Sequence, residues 1–286
     1  MKRALVLGGG GNVGIAWETA VLSGLLDGGI DARDADLIIG TSAGSVVGTN
    51  LAHGRDPREL ASERQREQGR ALPHVVPDTE SLAAAFTLWA SFDTMTPERC
   101  AQVGAIALRA KTMPEPDWVA SFAGNEWPGW PEKPLLVTTV DCETGEFLAL
   151  DRASGVPIER AVAASCSVPG LFPPVAIDGR RCTDGGVRSG TSCDLAQRIE
   201  PDVVLVLAPL GWAGRGIHVI SAKLMAREAA ALEAAGAKVR LIEPDGPARE
   251  AMGQNMMDPQ NAGPAAERGR EHGRRLAGEL REVWGR

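Results

Sequence analysis

The sequence lacks the features that mark membrane-spanning and nucleic-acid-binding proteins. No apolar run approaches the roughly 18 residues that a membrane-spanning helix needs, and the apolar stretch near the N-terminus stops at Gly8. The formal net charge is −7, and neither positive nor negative residues form a long block in the sequence. Both observations argue against a basic surface that binds nucleic acid. We therefore expect a globular, cytoplasmic protein with no export signal and at most peripheral membrane contact.

Cysteine and histidine are also sparse. The five cysteines are odd in number and lack close pairing, which is typical of reduced thiols in a cytosol. The four histidines show no spacing typical of metal ligands. We expect no metal and no cofactor, and the sequence leaves the oligomeric state open. The cysteines are Cys100, Cys142, Cys166, Cys182 and Cys193, and the histidines are His53, His74, His218 and His272.

What the sequence does contain is an alternation of short apolar runs with longer segments of helical period. Helices are predicted from about Gly14 to Leu26, after Ser42, after Pro157, and from Ser221 to Ala235. The runs typical of buried strands include Ala4 to Leu7, Leu37 to Ile39, Leu135 to Val140, Val203 to Leu207 and Val239 to Ile242. This βαβ repetition predicts an α/β protein of one domain over residues 1–286, a three-layer α/β/α sandwich with a mostly parallel central sheet.

Two segments depart from that alternation. Residues 71–134 contain many prolines and four of the seven tryptophans, and we interpret them as an insertion over the sheet. The stretch at about 264–284 places Leu276, Leu280 and Trp284 at helical spacing among charged residues. It predicts a C-terminal amphipathic helix that docks on the core.

A glycine-rich loop follows the first predicted strand. Its sequence is Gly8-Gly9-Gly10-Gly11-Asn12-Val13-Gly14, in which successive backbone N–H groups can point at an oxyanion or phosphate. Gly9, Gly11 and Gly14 also match the G-x-G-x-x-G dinucleotide fingerprint. The second strand nevertheless ends in Ile39-Gly40-Thr41, without the acidic residue that holds a ribose. A nucleotide-binding module is therefore an alternative interpretation, but one that lacks the acidic residue for the ribose.

A G-x-S-x-G motif, Gly40-Thr41-Ser42-Ala43-Gly44, lies between the second predicted strand and a helix. This is the context of a nucleophile elbow, a sharp turn that presents a serine hydroxyl above the edge of a sheet. A serine hydroxyl is a weak nucleophile until a base takes its proton. The motif therefore predicts a nucleophilic Ser42 and requires a base elsewhere.

Two kinds of base are available. The turn Thr183-Asp184-Gly185-Gly186 can project a carboxylate. His218 and His272 would instead complete the Ser, Asp, His order of an α/β-hydrolase, although both lie in predicted helices rather than in loops. The residues alone leave a Ser-His-Asp esterase open.

Taken together, the three loops resemble the patatin-like phospholipase family, which joins a G-G-G-x-R/K-G loop, a G-x-S-x-G elbow and an Asp-Gly-Gly/Ala turn. Here these are Gly9 to Gly14, Gly40 to Gly44 and Asp184 to Gly186, and the similarity covers most of residues 4–210, including the run Ala164 to Pro174. The resemblance implies a patatin-like sandwich and a serine acyl hydrolase. It also implies a dyad of Ser42 and Asp184, an acyl ester or lipid substrate, and chemistry without a metal or a catalytic histidine.

Gly9, Gly10, Gly11 and Ala43 are expected to supply an oxyanion hole through their backbone N–H groups. The Trp-rich insertion is expected to form core packing, or an acyl-binding wall or a lid, because indole offers a large apolar face. The sequence departs from the family at Val13, where Arg or Lys is usual, so the head group of the substrate stays open. The supporting glycines are Gly14, Gly40, Gly44, Gly185 and Gly186.

Overall fold

The computed structural model describes residues 1–66, 76–125, 127–212 and 217–285, and these ranges form a sheet with helices on both faces. The strands are β1 (Arg3–Leu7), β2 (Leu37–Gly40), β3 (Leu135–Asp141), β4 (Phe147–Leu150), β5 (Val175–Ile177), β6 (Arg180–Asp184), β7 (Val203–Leu207) and β8 (Lys238–Ile242). The helices are α1 (Gly11–Asp27), α2 (Ala43–Ala52), α3 (Pro57–Arg66), α4 (Thr79–Ala90), α5 (Pro97–Arg109), α6 (Glu115–Ala120), α7 (Ile158–Ser165), α8 (Ile217–Ala234), α9 (Gly246–Met252) and α10 (Pro259–Trp284).

The sheet is mostly parallel, as predicted. β1 pairs in parallel with β2 and β7, β2 with β3, and β7 with β8. The antiparallel part is smaller: β4 and β6 pair with β3, and β5 pairs with β6. The α/β class with its central, largely parallel sheet is therefore confirmed.

The core lies on both faces of this sheet, because successive side chains of a strand point in opposite directions. Leu5 and Leu7 of β1 pack in the cluster that contains Trp17 of α1, whereas Ala4 and Val6 pack in the cluster that contains Met225 of α8. These four β1 residues are completely buried, as a strand covered by helices on both faces requires. The result is three layers.

The long helix α10 packs along α1. It begins at Pro259, before the predicted start at about 264, because the Asp258 side chain accepts a hydrogen bond from the N–H of Gln260 and proline is favoured in the first turn. Gly273 permits the close approach, since a Cβ there would collide with the carbonyl oxygen of Val21. None of the described helices is long and apolar enough to span a bilayer.

The Pro- and Trp-rich segment forms α4, α5 and α6; its residues 71–75 and 126 lie outside the described ranges. Ala85 of α4 and Val103 of α5 pack against Val140 of β3, so these helices cover the antiparallel part of the sheet. Trp118 of α6 stacks on Phe172, with the ring centroids 3.7 Å apart. Core packing is therefore one role of this segment.

Strands β2 and β6 end towards each other along one edge of β3. Val137 of β3 pairs with Gly40 of β2 and with Leu150 of β4, so β2 and β4 occupy opposite edges. Thr139, two residues further on, pairs with Asp184 of β6 and also with β4, which puts β6 on the same edge as β2. Because β2 runs parallel and β6 antiparallel to β3, their carboxyl ends converge. This convergence brings the turn after Gly40 beside Asp184.

Candidate active site

Ser42 lies at the apex of the turn between β2 and α2. Its backbone has φ 53° and ψ −120°, a conformation that is costly for a residue with a side chain and that is typical of a nucleophile elbow. The turn is tight because Gly44 has no side chain; a Cβ there would collide with the carbonyl oxygen of Leu7. The N–H of Ser42 donates to Oγ of Ser165, 2.9 Å away, which ties the elbow to α7.

Asp184 is the last residue of β6 and is 4% exposed. Its Oδ1 accepts a hydrogen bond of 2.7 Å from the N–H of Gly186, and its own N–H donates to the carbonyl of Ser167. Burial raises the pKa of Asp184 to about 7, and hydrogen bonds from the side chain of Ser42 and the N–H of Gly186 oppose that rise. Near neutral pH this carboxyl group can therefore both accept and return a proton.

The structure thus brings the predicted serine and aspartate together, with a side-chain hydrogen bond from Ser42 to Asp184. Ser42 itself is only 7% exposed, so the pair is largely shielded from solvent. A hydroxyl that donates to a buried carboxylate is the arrangement in which a base can activate a nucleophile.

The glycine loop lies against this pair. A Cβ built on Gly9 would be 3.5 Å from the Cβ of Ser42. The N–H of Gly9 donates to the carbonyl of Gly190 over 2.8 Å, and the expectation that Gly9 contributes to an oxyanion hole stays a prediction. That acceptor belongs to a loop remote in sequence, which no local motif predicts.

Three other predicted donors differ from Gly9. Within the described part of the chain, no backbone carbonyl accepts a hydrogen bond from the N–H of Gly10, Gly11 or Ala43. Gly11 begins α1 and Ala43 begins α2, so these N–H groups lie at helix N-termini, where backbone donors are unpaired and the helix dipole favours negative charge. They can therefore receive an oxyanion beside Ser42.

A cavity of about 770 Å³ opens above these residues. Gly10, Gly11, Ser42 and Asp184 form its polar floor. Trp89 of α4 overhangs the floor, since its Cη2 is 3.6 Å from a Cβ built on Gly186. Most of the remaining wall is apolar and comes from Leu82, Phe86, Val168, Leu171, Leu210, Met256 and Met257.

The position of Val13 shows how the chain accommodates the loss of the usual cation. Its side chain is completely buried in the core, and its N–H donates to the carbonyl of Met256 over 3.0 Å. A segment between α9 and α10 therefore packs directly on the glycine loop. No motif in the sequence identifies this partner of the glycine loop, and none identifies Ser165 as the partner of the elbow.

No histidine is among the described residues that line the cavity. Nε2 of His53 lies 3.0 Å from the carbonyl oxygen of Gly129, and His272 of α10 packs beside Trp17, with ring centroids 6.4 Å apart. His74 and the side chain of His218 lie outside the described part of the structure. Within the same ranges, no group of three or more His, Cys, Asp or Glu residues is placed to hold a metal ion.

Comparison with known proteins gives matches that span different shares of the chain. A mimiviral protein, uncharacterized protein R571 of Acanthamoeba polyphaga mimivirus, is 27% identical over 190 residues, which are 64% of this chain and 58% of that protein. The crystal structure of VipD from Legionella pneumophila aligns with a TM-score of 0.47 and 13% identity, over 97% of this chain and 67% of VipD. The type III effector protein ExoU aligns with a TM-score of 0.43 and 14% identity, over 97% of this chain and 53% of ExoU.

The family comparison covers strands β1 to β6, the glycine loop, the elbow and the aspartate turn. The model described as patatin-like phospholipase matches residues 5–196, which include Ser42 and Asp184. The chain belongs to the patatin-like phospholipase family.

Proposed function

We propose that this protein is a lipid acyl hydrolase that cleaves carboxylic esters through Ser42 and Asp184. The observation that carries the proposal is the contact between the Ser42 hydroxyl and a buried carboxyl group whose pKa is raised to about 7. This contact lies on the floor of a largely apolar cavity, beside backbone N–H groups of the glycine loop that have no backbone acceptor among the described residues. Family membership supports the same reaction class.

In the first half-reaction, Oγ of Ser42 attacks the ester carbonyl while Asp184 accepts the serine proton. The carbonyl oxygen becomes an oxyanion, which the N–H groups of Gly10, Gly11 and Ala43 stabilise. Asp184 then returns the proton to the departing alcohol, and the acyl group remains bound to Ser42.

In the second half-reaction, water attacks the acyl-enzyme. Asp184 accepts a proton from that water, the same donors stabilise the second oxyanion, and collapse of the intermediate releases the fatty acid. The proton then returns from Asp184 to Ser42 Oγ, which restores the starting state. The same carboxyl group therefore acts as base and acid in both halves, as its pKa permits.

The cavity supports an acyl chain as the group bound next to the reacting carbonyl. Leu82, Phe86 and Trp89 recur on one face of α4 and present apolar surface to the cavity. We further propose that contact with lipid surfaces is peripheral. A cytoplasmic location fits the five free cysteines, which would be at risk of oxidation in a secretory compartment.

The test uses p-nitrophenyl acyl esters and a fluorophosphonate probe, which reacts covalently with activated serines. We expect Ser42→Ala and Asp184→Asn each to lower kcat by at least about 10³-fold and Ser42→Ala to abolish labelling. Matched controls are Ser62→Ala and Asp117→Asn, because both residues are exposed on helices remote in sequence from the three motifs.

The outcomes separate the alternatives. Retained esterase activity in Ser42→Ala would eliminate the proposal, and saturable nucleotide binding without covalent labelling would favour a nucleotide-binding module. Loss of activity in His218→Ala or His272→Ala, with an unchanged fold by circular dichroism, would instead indicate a Ser-His-Asp esterase. A panel of acyl esters that includes phospholipids then identifies chain length and head group.

A further inference from the structure

Glu18 is a buried acid that the proposed mechanism does not use. It lies on α1 and is completely inaccessible to solvent. Its Oε1 accepts a hydrogen bond of 2.8 Å from the N–H of Gly8, while Oε2 has no hydrogen-bond partner among the described residues. Burial raises the pKa of Glu18 well above its ordinary value, and the hydrogen bond from Gly8 opposes that rise. Burial therefore favours the neutral form of this side chain.

Its partner is the residue at which the chain leaves the sheet. The N–H of Gly8 donates both to Glu18 and to the carbonyl of Leu207 in β7, 3.0 Å away. Next along the chain, Gly9 donates to Gly190, and the carbonyl of Gly10 accepts from the N–H of Gly14 over 2.7 Å. The loop is thus anchored at Gly8 by the helix that follows it.

The core itself has no need of an acid at this position. A buried carboxyl group without full hydrogen bonding costs free energy that an apolar side chain would not. The neighbours of Glu18 along α1 include Trp17, Val21 and Leu22, which are all buried in the core. The feature that Glu18 adds is an oxygen atom aimed at the glycine loop.

We propose that Glu18 is a positioning residue for the oxyanion hole, which holds Gly8 so that the N–H groups of Gly10 and Gly11 face the carbonyl that Ser42 attacks. The inference rests on the proposed esterase function. It predicts that the oxygen atom of the side chain, and not its charge, is required.

The decisive comparison is between Glu18→Gln and Glu18→Met. Glutamine keeps an acceptor oxygen at the same distance along the side chain, whereas methionine fills a similar volume without a strong acceptor. Because a misplacement of about 1 Å near the reacting atoms costs about 10²-fold in rate, we expect Glu18→Met to lower kcat for a p-nitrophenyl ester by tenfold to a hundredfold. KM should change by less than about twofold, since the oxyanion hole stabilises the transition state and not the bound substrate.

Glu18→Gln should retain kcat within about threefold of the wild type, because one acceptor replaces the other. Ser23→Ala is the matched control, since Ser23 is buried on the same helix and further from the loop. Melting temperatures measured alongside separate positioning from folding: Glu18→Met should be as stable as the wild type or more stable. The rate of fluorophosphonate labelling should fall in parallel with kcat.

Fluorophosphonate labelling of the wild type tests the proposed esterase function separately from the role of Glu18. If the wild type is not labelled, the esterase proposal itself fails. With the wild type labelled, equal rates for Glu18→Met and the wild type would refute the inference. Equal losses in Glu18→Met and Glu18→Gln would also refute it, because glutamine preserves the hydrogen bond. If Glu18→Met does not fold, the result for Glu18→Gln decides alone.

Discussion

Ser42 donates a side-chain hydrogen bond to Asp184, and this contact exists because β2 and β6 end towards each other along one edge of β3. The elbow places the serine just beyond β2, and the aspartate is the last residue of β6. The register of three strands, rather than proximity in the chain, therefore builds the pair. A slip of one residue in either strand would turn the side chains to opposite faces of the sheet.

In the proposed mechanism, the pH dependence of hydrolysis follows from the ionisation of Asp184. Only the carboxylate form of Asp184 would accept the serine proton, and its folded-state pKa is raised to about 7. We expect kcat/KM to fall about tenfold per pH unit below that value and to reach a plateau above it. A pH–rate profile with a neutral p-nitrophenyl ester measures this.

An imidazole base would give a similar midpoint, so the profile needs a control. Ionisation of a carboxylic acid has an enthalpy near zero, whereas that of imidazole does not. A midpoint that stays constant with temperature supports Asp184, and one that falls on warming would point to a histidine.

The stability of the protein should depend on the same group. The pKa of Asp184 is about 7 in the folded protein, against 3.8 for an ordinary aspartate. Between these values the unfolded chain releases a proton that the folded protein retains, so Asp184 lowers the free energy of unfolding as the pH rises through this window. Relative to the wild type, Asp184→Asn should gain stability from about pH 4 to about pH 7, by up to a few kcal/mol. Urea unfolding at several pH values measures this, and a constant difference would contradict it.

The glycine loop should tolerate a methyl group poorly. A Cβ on Gly10 would lie 2.7 Å from Cβ of Pro209 and 2.8 Å from Cα of Gly14, so the loop must move. We expect Gly10→Ala to lower kcat by about 10²-fold, as loss of an oxyanion donor does. Gly278→Ala is the control, because a Cβ on this exposed residue of α10 meets no atom of the described residues within 4 Å. Equal kcat in the two variants would exclude a role for the loop.

Trp89 should influence the preference for acyl chain length. Its indole overhangs Gly186, and its Nε1 has no hydrogen-bond partner among the described residues, so removal of the ring loses apolar contact only. Burial of a large apolar side chain is worth about 1.5–3 kcal/mol, and part of that is available to a bound chain. We expect Trp89→Ala to raise KM for a decanoate ester by about fivefold to tenfold and to leave KM for an acetate ester nearly unchanged.

Trp130 provides the matched control for that experiment. It belongs to the same Trp-rich segment, but its Nε1 donates to the carbonyl of Val156 and it does not line the cavity. Trp130→Phe should therefore leave the ratio of the two KM values unchanged. A uniform rise in KM for both esters in Trp89→Ala would mean that the indole supports the floor of the site rather than the acyl chain.

The glycine loop shows where reasoning from sequence ends. Four consecutive glycines identify a loop that can bind an anion, since each lacks a Cβ, but they do not rank the four N–H groups. The N–H of Gly9 donates to the carbonyl of Gly190. The N–H of Gly8 donates to the carbonyl of Leu207 and to Oε1 of Glu18. Which donors stay free depends on acceptors from distant segments.

The amino-acid sequence alone determined the alternation of strands and helices, the elbow at Ser42 and the turn at Asp184, because periodicity, glycine and turn chemistry act over a few neighbouring residues. Only the tertiary structure decided that Ser165 holds the elbow, that Glu18 reaches the glycine loop and that Trp89 overhangs the site. The pKa of Asp184 is also decided by the tertiary structure, since it depends on how completely the assembled layers exclude water from this carboxyl group. Local preferences are encoded residue by residue, whereas burial and long-range hydrogen bonds exist only once the whole chain has packed.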